Sequence, residues 1–403
     1  MERQGQAVHK TNNMISQQLI QDMQVWRQHI HRFPECGFEV QNTAEFIAHK
    51  LQSFGIEVVR NIGTSGLVGI LKNGSSGKSI GLRADMDALH IQEQNTFEHR
   101  SQCNGKMHAC GHDGHSSMLL GAAAHLAQYK NFEGTVYFIF QPDEEHGEGA
   151  QAMIDDGLFE RFNMDSVYGL HNLPGLAAGQ FVVRPGSLMA SESAFEIEIK
   201  GRGGHAAMPH LGVDPIVVGS QVILALQTIA ARNMSAISET TVVSATEFIT
   251  DGTVNVIPST VVIKGDCRCF TEAALAKLEK RMGEIVAGIC QSAGAEHVFT
   301  FKHAFYPLVN SANETAHVIK AAQQVLGAEQ VNGACDPFTI SEDFSSMLRV
   351  KPGCYGLLGN GIDSVGGCAL HNPEYDFNDA ILTLGAQYWV QLTQNILQFK
   401  PIT

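Results

Sequence analysis

The sequence predicts an α/β domain, a mainly parallel sheet flanked by helices, interrupted by an inserted α+β domain of ferredoxin-like type. Three observations predict it. Short apolar runs that end in carboxylates alternate with segments of helical spacing, the pattern of a buried sheet with crossover helices. After "VVRPGSLMAS" the apolar residues recur with period two, which suits strands with one exposed face. From "NSANETAHVIKAAQQVLG" onward the first pattern resumes. The main domain then occupies residues 1–186 and 304–403, and the insert 187–303.

The elements follow in order. Residues 14–55 read as helical segments separated by the turn "HRFPECGFEV". "IGLRADMDAL" and "TVYFIFQPDEE" read as buried strands whose C-terminal ends carry carboxylates, where α/β sheets place their chemistry. Between them "SSMLLGAAAHLAQY" has helical spacing, with Ser116 or Ser117 as the expected cap. "SVYGLHNLP" is a further strand running into a loop. In the insert, "SAFEIEIKG" alternates as a half-exposed strand. "DPIVVGSQVILALQTIAAR" is a helix with Asp214 as N-cap and Pro215 at its first position. Two alternating strands, "ETTVVSATEFITDG" and "VNVIPSTVVIKGDCRCF", precede a helix over about residues 272–292 and the strand "EHVFTFKHAF". The resulting order, β-α-β-β-α-β, is that of the ferredoxin-like unit.

Composition excludes several function classes. A chain of 403 residues is too long for one compact core, so more than one domain is expected. The net charge of −14 repels phosphate backbones, which excludes nucleic acid as a partner. The N-terminal stretch lacks the apolar core of a signal peptide. No run approaches the roughly 18 apolar residues of a membrane span, so no membrane partner is expected. Nine cysteines without a framework of spacings read as reduced thiols, and the expected location is cytoplasmic.

The stretch "MHACGHDGHSS" crowds His108, Cys110, His112, Asp113 and His115 together, more donors than one ion needs. Metal sites in α/β enzymes gather ligands from several strand ends. Candidates in such places are Cys110 and His112 in a Gly-punctuated loop, Glu144 and Glu145 after "TVYFIFQP", His171 after "SVYGL", and His371 in "CALHNPEYDFND". A mixed N, O and S set suits zinc, manganese, cobalt or nickel better than magnesium or calcium. Of two adjacent glutamates, one can bind metal while the other serves as general base toward a water acidified by the metal. That combination points to metal-assisted hydrolysis of an acyl bond. A Cys-x-His pair used instead as a reactive thiol beside a base is the competing reading of the loop.

Taken together, "HACGHDGH", "QPDEE", "HNLP", "GRGGHAAMPH" and "LHNPEYDFND" resemble the metal-dependent amidohydrolases related to hippurate hydrolase, a group that includes auxin-conjugate hydrolases, N-acyl-amino-acid amidohydrolases, aminoacylases and carboxypeptidases. The resemblance runs from about residue 26 to about residue 390 in matching order. It implies two divalent metal ions per subunit, held by Cys110, His112, Glu145, His171 and His371, with Cys110 bridging them. It implies Glu144 as general base and Asp87 of "RADMDAL" as a carboxylate behind the site that orients a ligand. His108, Asp113 and His115 would then support the loop rather than bind. Two positions depart from the family's pattern: His90 stands where proline is common, and Asp143 where a small residue is common.

The insert also carries chemistry. Gly201, Gly203 and Ala206 form a weak dinucleotide fingerprint, rejected because Pro209 follows and helix signals come only at Asp214. The resemblance assigns this loop's His205 to the oxyanion of the attacked carbonyl, often across a subunit boundary. Asn255 and Arg268, thirteen apart as in carboxypeptidases of the wider family, would bind the substrate's carboxylate or carbonyl. The substrate expected is a small N-acyl amino acid, hippurate-like or an acetyl or aryl-acyl conjugate, cleaved to a carboxylic acid and a free amino acid. A metallo-carboxypeptidase or dipeptidase using the same site, and a non-catalytic dimeric binding protein, are the alternatives. Exposed edge strands of the insert's sheet need covering, so a homodimer is expected through this lid and dimerisation domain.

Overall fold

A computed structural model describes residues 14–363 and 366–398. Most of the N-terminal stretch inspected for a signal peptide, and two residues of the glycine-rich segment before His371, lie outside the described residues. The chain divides into two compact units. The first takes in the described chain up to Gly186, Asn310–Asp336 and the chain from Ser346 onward; the second is Ser187–Val309 with Pro337–Ser345.

In chain order the first unit contributes β1 (Glu57–Ile62), β2 (Gly66–Asn73), β3 (Ser79–Asp85), β4 (Gly134–Gln141), β5 (Ser166–Pro174) and β6 (Phe181–Val182). The second contributes β7 (Glu192–Lys200), β8 (Thr241–Thr250), β9 (Thr260–Cys269) and β10 (Glu296–Phe305). The chain returns to the first unit for β11 (Val331–Asn332) and β12 (Gly353–Gly361). The longer helices are α1 (Gln17–Arg32), α2 (Gln41–Ser53), α3 (His112–Tyr129), α4 (Pro215–Thr228), α5 (Glu272–Ala293), α6 (Ala312–Leu326) and α7 (Leu382–Ile396).

The first unit's sheet has the order β1-β2-β4-β3-β5-β12-β6-β11. Its centre, β4-β3-β5-β12, is parallel, and antiparallel pairings flank it. Every residue of β3 and β12 is buried, which explains why these strands read as continuous runs rather than alternations. Parallel packing points the C-terminal ends of β3, β4 and β5 the same way, so Asp85, Gln141 and their following loops share one edge. The antiparallel hairpin of β1 and β2 had no counterpart in the sequence reading.

One expectation is corrected here. α3 begins at His112, four residues before Ser116, and Gly111 is its N-cap at φ 92 with no side-chain cap. The two serines bond instead to carbonyls: Ser116 Oγ donates to Asp85 O at 2.9 Å and Ser117 Oγ to Asp113 O at 2.7 Å. A left-handed glycine turns the chain into the helix without a capping side chain, and so the cluster's polar residues occupy its first turn.

The second unit's sheet has the order β8-β9-β7-β10, with each neighbouring pair antiparallel. Burial alternates along β7 and β9 as the period-two pattern requires. Asp214 caps α4, accepting the Ile216 N–H at 2.9 Å, with Pro215 following. The segment Pro215–Asn233 is long and apolar enough, at mean hydropathy 1.3 over an 18-residue window, to cross a membrane by length and composition alone, although polar residues interrupt it and it holds no continuous apolar run of that length. Its Val218, Val222, Leu226 and Ile229 lie in the unit's own core with Ile197, Ile263, Leu278 and Val286.

Candidate active site

The chain end of β3, the Cys110 loop, the turn after β4, the end of β5 and the loop after β12 converge within the first unit. Gly111 permits the close approach. A Cβ there would overlap Asn172 Oδ1 and lie 2.7 Å from the Tyr375 hydroxyl. Gly114 is equally confined, since a Cβ would overlap the Phe377 ring. His371 sits at φ 62, and its N–H bonds to Ala109 O at 2.8 Å, next to the cysteine loop.

Ligand atoms of Cys110, His112 and His171 fall within 4.8 Å of one another, and so do those of Cys110, Glu145 and His371. One sulfur is thus common to two trios. Cys110 Sγ lies 3.4 Å from His171 Nε2. Glu145 lies 3.8 Å from His112 Nε2 through one oxygen and 3.4 Å from His371 Nε2 through the other. The tautomers are set from behind. His112 Nδ1 donates to Asp87 O at 2.8 Å, and His171 Nδ1 donates to Asn172 O at 2.6 Å. Each ring therefore directs an Nε2 lone pair into the site, the arrangement metal-binding imidazoles adopt.

Two observations show that this set fits a cation. His112 Nε2 and Glu145 Oε1 are buried without a hydrogen-bond partner, which is costly unless something else binds them. The site also holds excess negative charge. Burial, then Glu145, Glu144 and Asp85, push the Cys110 thiol well above its ordinary value. Against burial, which favours the neutral ring, Asp85, Asp87 and Glu145 push His112 up to about 10. Burial and His115 push His171 well down. A divalent cation reverses the first two shifts, since it favours thiolate and neutral imidazole.

Glu144 and Glu145 follow β4 on a tight turn. Glu144 is buried and one of its oxygens lies 3.9 Å from His112 Nε2. Asp87 Oδ2 accepts the Glu145 N–H at 3.2 Å while Asp87 Oδ1 lies 3.4 Å from His112 Nδ1. One carboxylate thereby braces two ligand positions.

The surplus residues of the cluster have other partners close by, and His115 also forms a trio with Asp85 and His112. His115 Nδ1 lies 2.6 Å from Asp85 and its Nε2 lies 2.7 Å from Asn172 Oδ1. Asn172 continues to the Tyr375 hydroxyl at 2.7 Å, and Arg83 holds Asp85 at 2.6 Å. Asp113 pairs with His31 at 2.8 Å and lies 3.7 Å from Arg27, which also binds Asp376 and Asp379. His108 is buried with neither ring nitrogen bonded, and burial pushes it down to about 3. Asp85, Asn172, Tyr375, His31 and Arg27 had no role in the sequence reading. The available signals were Asp85 at the end of β3, two residues before Asp87, and Asn172 beside His171.

In the second unit, His205 and Asn255 lie together. The short strand Gly204–His205 pairs with Val256–Ile257, and the Ala206 N–H bonds to Asn255 O at 3.0 Å. His205 is exposed, and its Nδ1 accepts the Ala207 N–H at 3.1 Å, which leaves the proton on Nε2. No helix opens here before Pro215 other than a single 3₁₀ turn, Pro209–Leu211. Arg268 stands apart on β9, its guanidinium held by Glu192 at 2.8 Å, Asp266 at 2.9 Å and Ser341 at 2.8 Å.

Known proteins are similar to this chain. Hippurate hydrolase of Campylobacter jejuni is 39% identical over 373 residues, 92% of this chain and 96% of its own length. N-acyl-L-amino acid amidohydrolase of Geobacillus stearothermophilus is 40% identical over 292 residues, 72% of this chain and 78% of its own. The crystal structure of a dinuclear metal-binding peptidase of the M20 family from Bacillus subtilis matches with a TM-score of 0.83 at 30% identity, covering 95% of this chain and 99% of that one. The profile of peptidase family M20/M25/M40 spans residues 81–395, and the chain belongs to that family.

Proposed function

We propose that this chain is a metal-dependent amidohydrolase that cleaves the amide of an N-acyl amino acid to a carboxylic acid and a free amino acid. The observation that carries this reading is the Cys110 sulfur common to two ligand trios, with a second carboxylate, Glu144, alongside. Cys110, His112, Glu145, His171 and His371 hold two divalent cations, zinc, manganese, cobalt or nickel by the softness of the donors. When bound, such cations supply Lewis acidity toward the carbonyl and acidify water.

The remaining steps belong to the chain. Glu144 accepts the proton of the attacking water and delivers it to the leaving nitrogen. Asp87 keeps Glu145 and His112 in register. His205 donates its Nε2 proton to the developing oxyanion, a role its tautomer suits. Asn255 and Arg268 receive the substrate's carboxylate or carbonyl, for which Arg268 exchanges the Glu192 carboxylate for that of the substrate. The second unit acts as lid and dimerisation domain. β8 is an edge strand with Val242, Phe248 and Ile249 exposed, a surface that pairing across a two-fold axis covers. The location we assign is cytoplasmic.

Glu144→Gln tests the central assignment. It should keep fold and metal content yet lose on the order of 10²–10⁴ in kcat, and near-full activity would remove Glu144 as the base. Mass-spectrometric screening of benzoyl, acetyl, indoleacetyl and long-chain acyl amino acids with each metal identifies the substrate. Sedimentation showing only the 43.7 kDa species at micromolar concentration would exclude the dimer.

A further inference from the structure

The turn bearing the two glutamates contains an acid–imidazole pair that the proposed chemistry does not use. An Asp143 carboxylate oxygen lies 2.6 Å from His146 Nδ1. Asp143 is buried, with a side chain 4% exposed, while the His146 ring is 56% exposed. Asp143 also adopts φ 52, a left-handed conformation uncommon outside glycine, which aspartate and asparagine tolerate best. Strain of this kind persists only where the surroundings over-determine it.

Here the surroundings do so from three sides. The Asp143 carbonyl accepts the Gly149 N–H at 3.0 Å, and the Glu144 carbonyl accepts the Gly147 N–H at 2.8 Å. Gly149 passes so close to the Pro142 carbonyl that a Cβ would overlap it. Opposite the pair stands Gly37 at φ 59, where a Cβ would lie 3.0 Å from Asp143 Oδ1 and 3.6 Å from the His146 ring. Main-chain bonds close the corner, and the side-chain bond from residue 143 to residue 146 spans Glu144 and Glu145.

We propose that Asp143 and His146 form a clamp that fixes the direction in which Glu144 and Glu145 leave the turn. They are positioning residues for the hydrolysis, acting through Glu144, and the inference rests on the function proposed above. A general base works only within hydrogen-bond reach of the proton it takes, and a displacement of about 1 Å can cost ~10²-fold.

The test uses metal-loaded His146→Ala, Asp143→Ala, the double variant and Asp143→Asn, assayed on N-benzoylglycine or the best substrate found, well below each Tm. His146→Ala and Asp143→Ala should each lower kcat about tenfold or more, with KM within roughly threefold and metal content unchanged. The double variant should be no worse than the poorer single, because one clamp is broken once. Asp143→Asn should recover most of the rate, since its amide oxygen accepts from Nδ1–H and asparagine tolerates the left-handed corner. Wild-type kcat in His146→Ala, multiplicative losses in the double variant, or losses confined to metal content would each overturn the clamp. Should Asp143→Ala fail to fold, His146→Ala decides alone, because its ring is largely at the surface. Glu144→Gln in the same assay separates the two readings. If it is fully active, the base assignment fails. If it is inactive while the clamp variants match wild type, only the clamp fails.

Discussion

Imidazoles are presented in two ways in this molecule. Along residues 108–115 of the first unit each is buried, and His112 and His115 are bonded from behind to Asp87 and Asp85. In the ribbon of the second unit, His205 is exposed and held by one strand pairing and by the Ala207 N–H. A group that holds a cation among competing charges needs its tautomer and direction fixed at all times. The role proposed for His205, meeting a transient oxyanion, needs only the right proton on the right nitrogen. Local stability should differ accordingly, with the ribbon opening more readily than the cysteine loop. Amide hydrogen exchange slower at Ala206 than at Gly114 would break this comparison.

The largest effect is expected at the sulfur common to both trios. Cys110→Ala removes a donor from each, so metal content should fall at both positions together. Activity should drop by roughly 10³-fold or more, since metal polarisation is worth several kcal/mol. Loss of one ion with retention of the other, read by elemental analysis, would show that the trios do not share the thiolate. His205→Asn sharpens the contrast: it should leave metal content and Tm unchanged and lower kcat by about 10²–10³-fold.

Next comes the charge network under the loop. Arg27 is buried and touches Asp113, Asp376 and Asp379. Arg27→Ala strips buried and half-buried carboxylates of their cation, and should cost about 3–5 kcal/mol in chemical denaturation. His31 beside Asp113 adds a pH dependence. Burial lowers His31, but Asp113 and Glu93 raise it to about 9 from an ordinary value of 6.5. A group raised in the folded state contributes stability that is fully present below its unfolded value and lost as pH rises through the folded one. Stability should therefore decline between about pH 6.5 and 9, by on the order of 3 kcal/mol. Thermal melts of wild type and His31→Asn across this window measure it; parallel curves would remove the assignment.

What could be seen in the sequence follows from range. The candidate ligands stand at the ends of apolar runs or in short motifs, so local pattern singled them out as candidates. The strands of the second unit were legible because one exposed face imposes period two. Asp85, Asn172 and Tyr375 were not legible, because His115 meets Asn172 across 57 residues and Asn172 meets Tyr375 across 203. Contacts that distant leave no periodicity behind. The start of α3 was misplaced for a different reason: a left-handed glycine replaces the capping serine, and φ 92 at Gly111 has no signature in composition.

The smallest effect compares two helix starts. α4 opens on Asp214, whose carboxylate accepts the Ile216 N–H, and Pro215 follows in the first turn where its missing N–H costs nothing. α3 opens on Gly111 without any capping side chain, because the neighbouring Asn172 and Tyr375 fill the space a Cβ would need. Asp214→Ala should thus cost only about 1 kcal/mol, the usual worth of a cap, and leave catalysis untouched. Gly111→Ala adds left-handed strain to a collision with buried polar atoms between two proposed ligands, so it should cost several times more and lower metal content as well. Equal losses in the two variants, measured by urea denaturation, would mean that Gly111 is merely a helix cap and not part of the floor beneath the metal ligands.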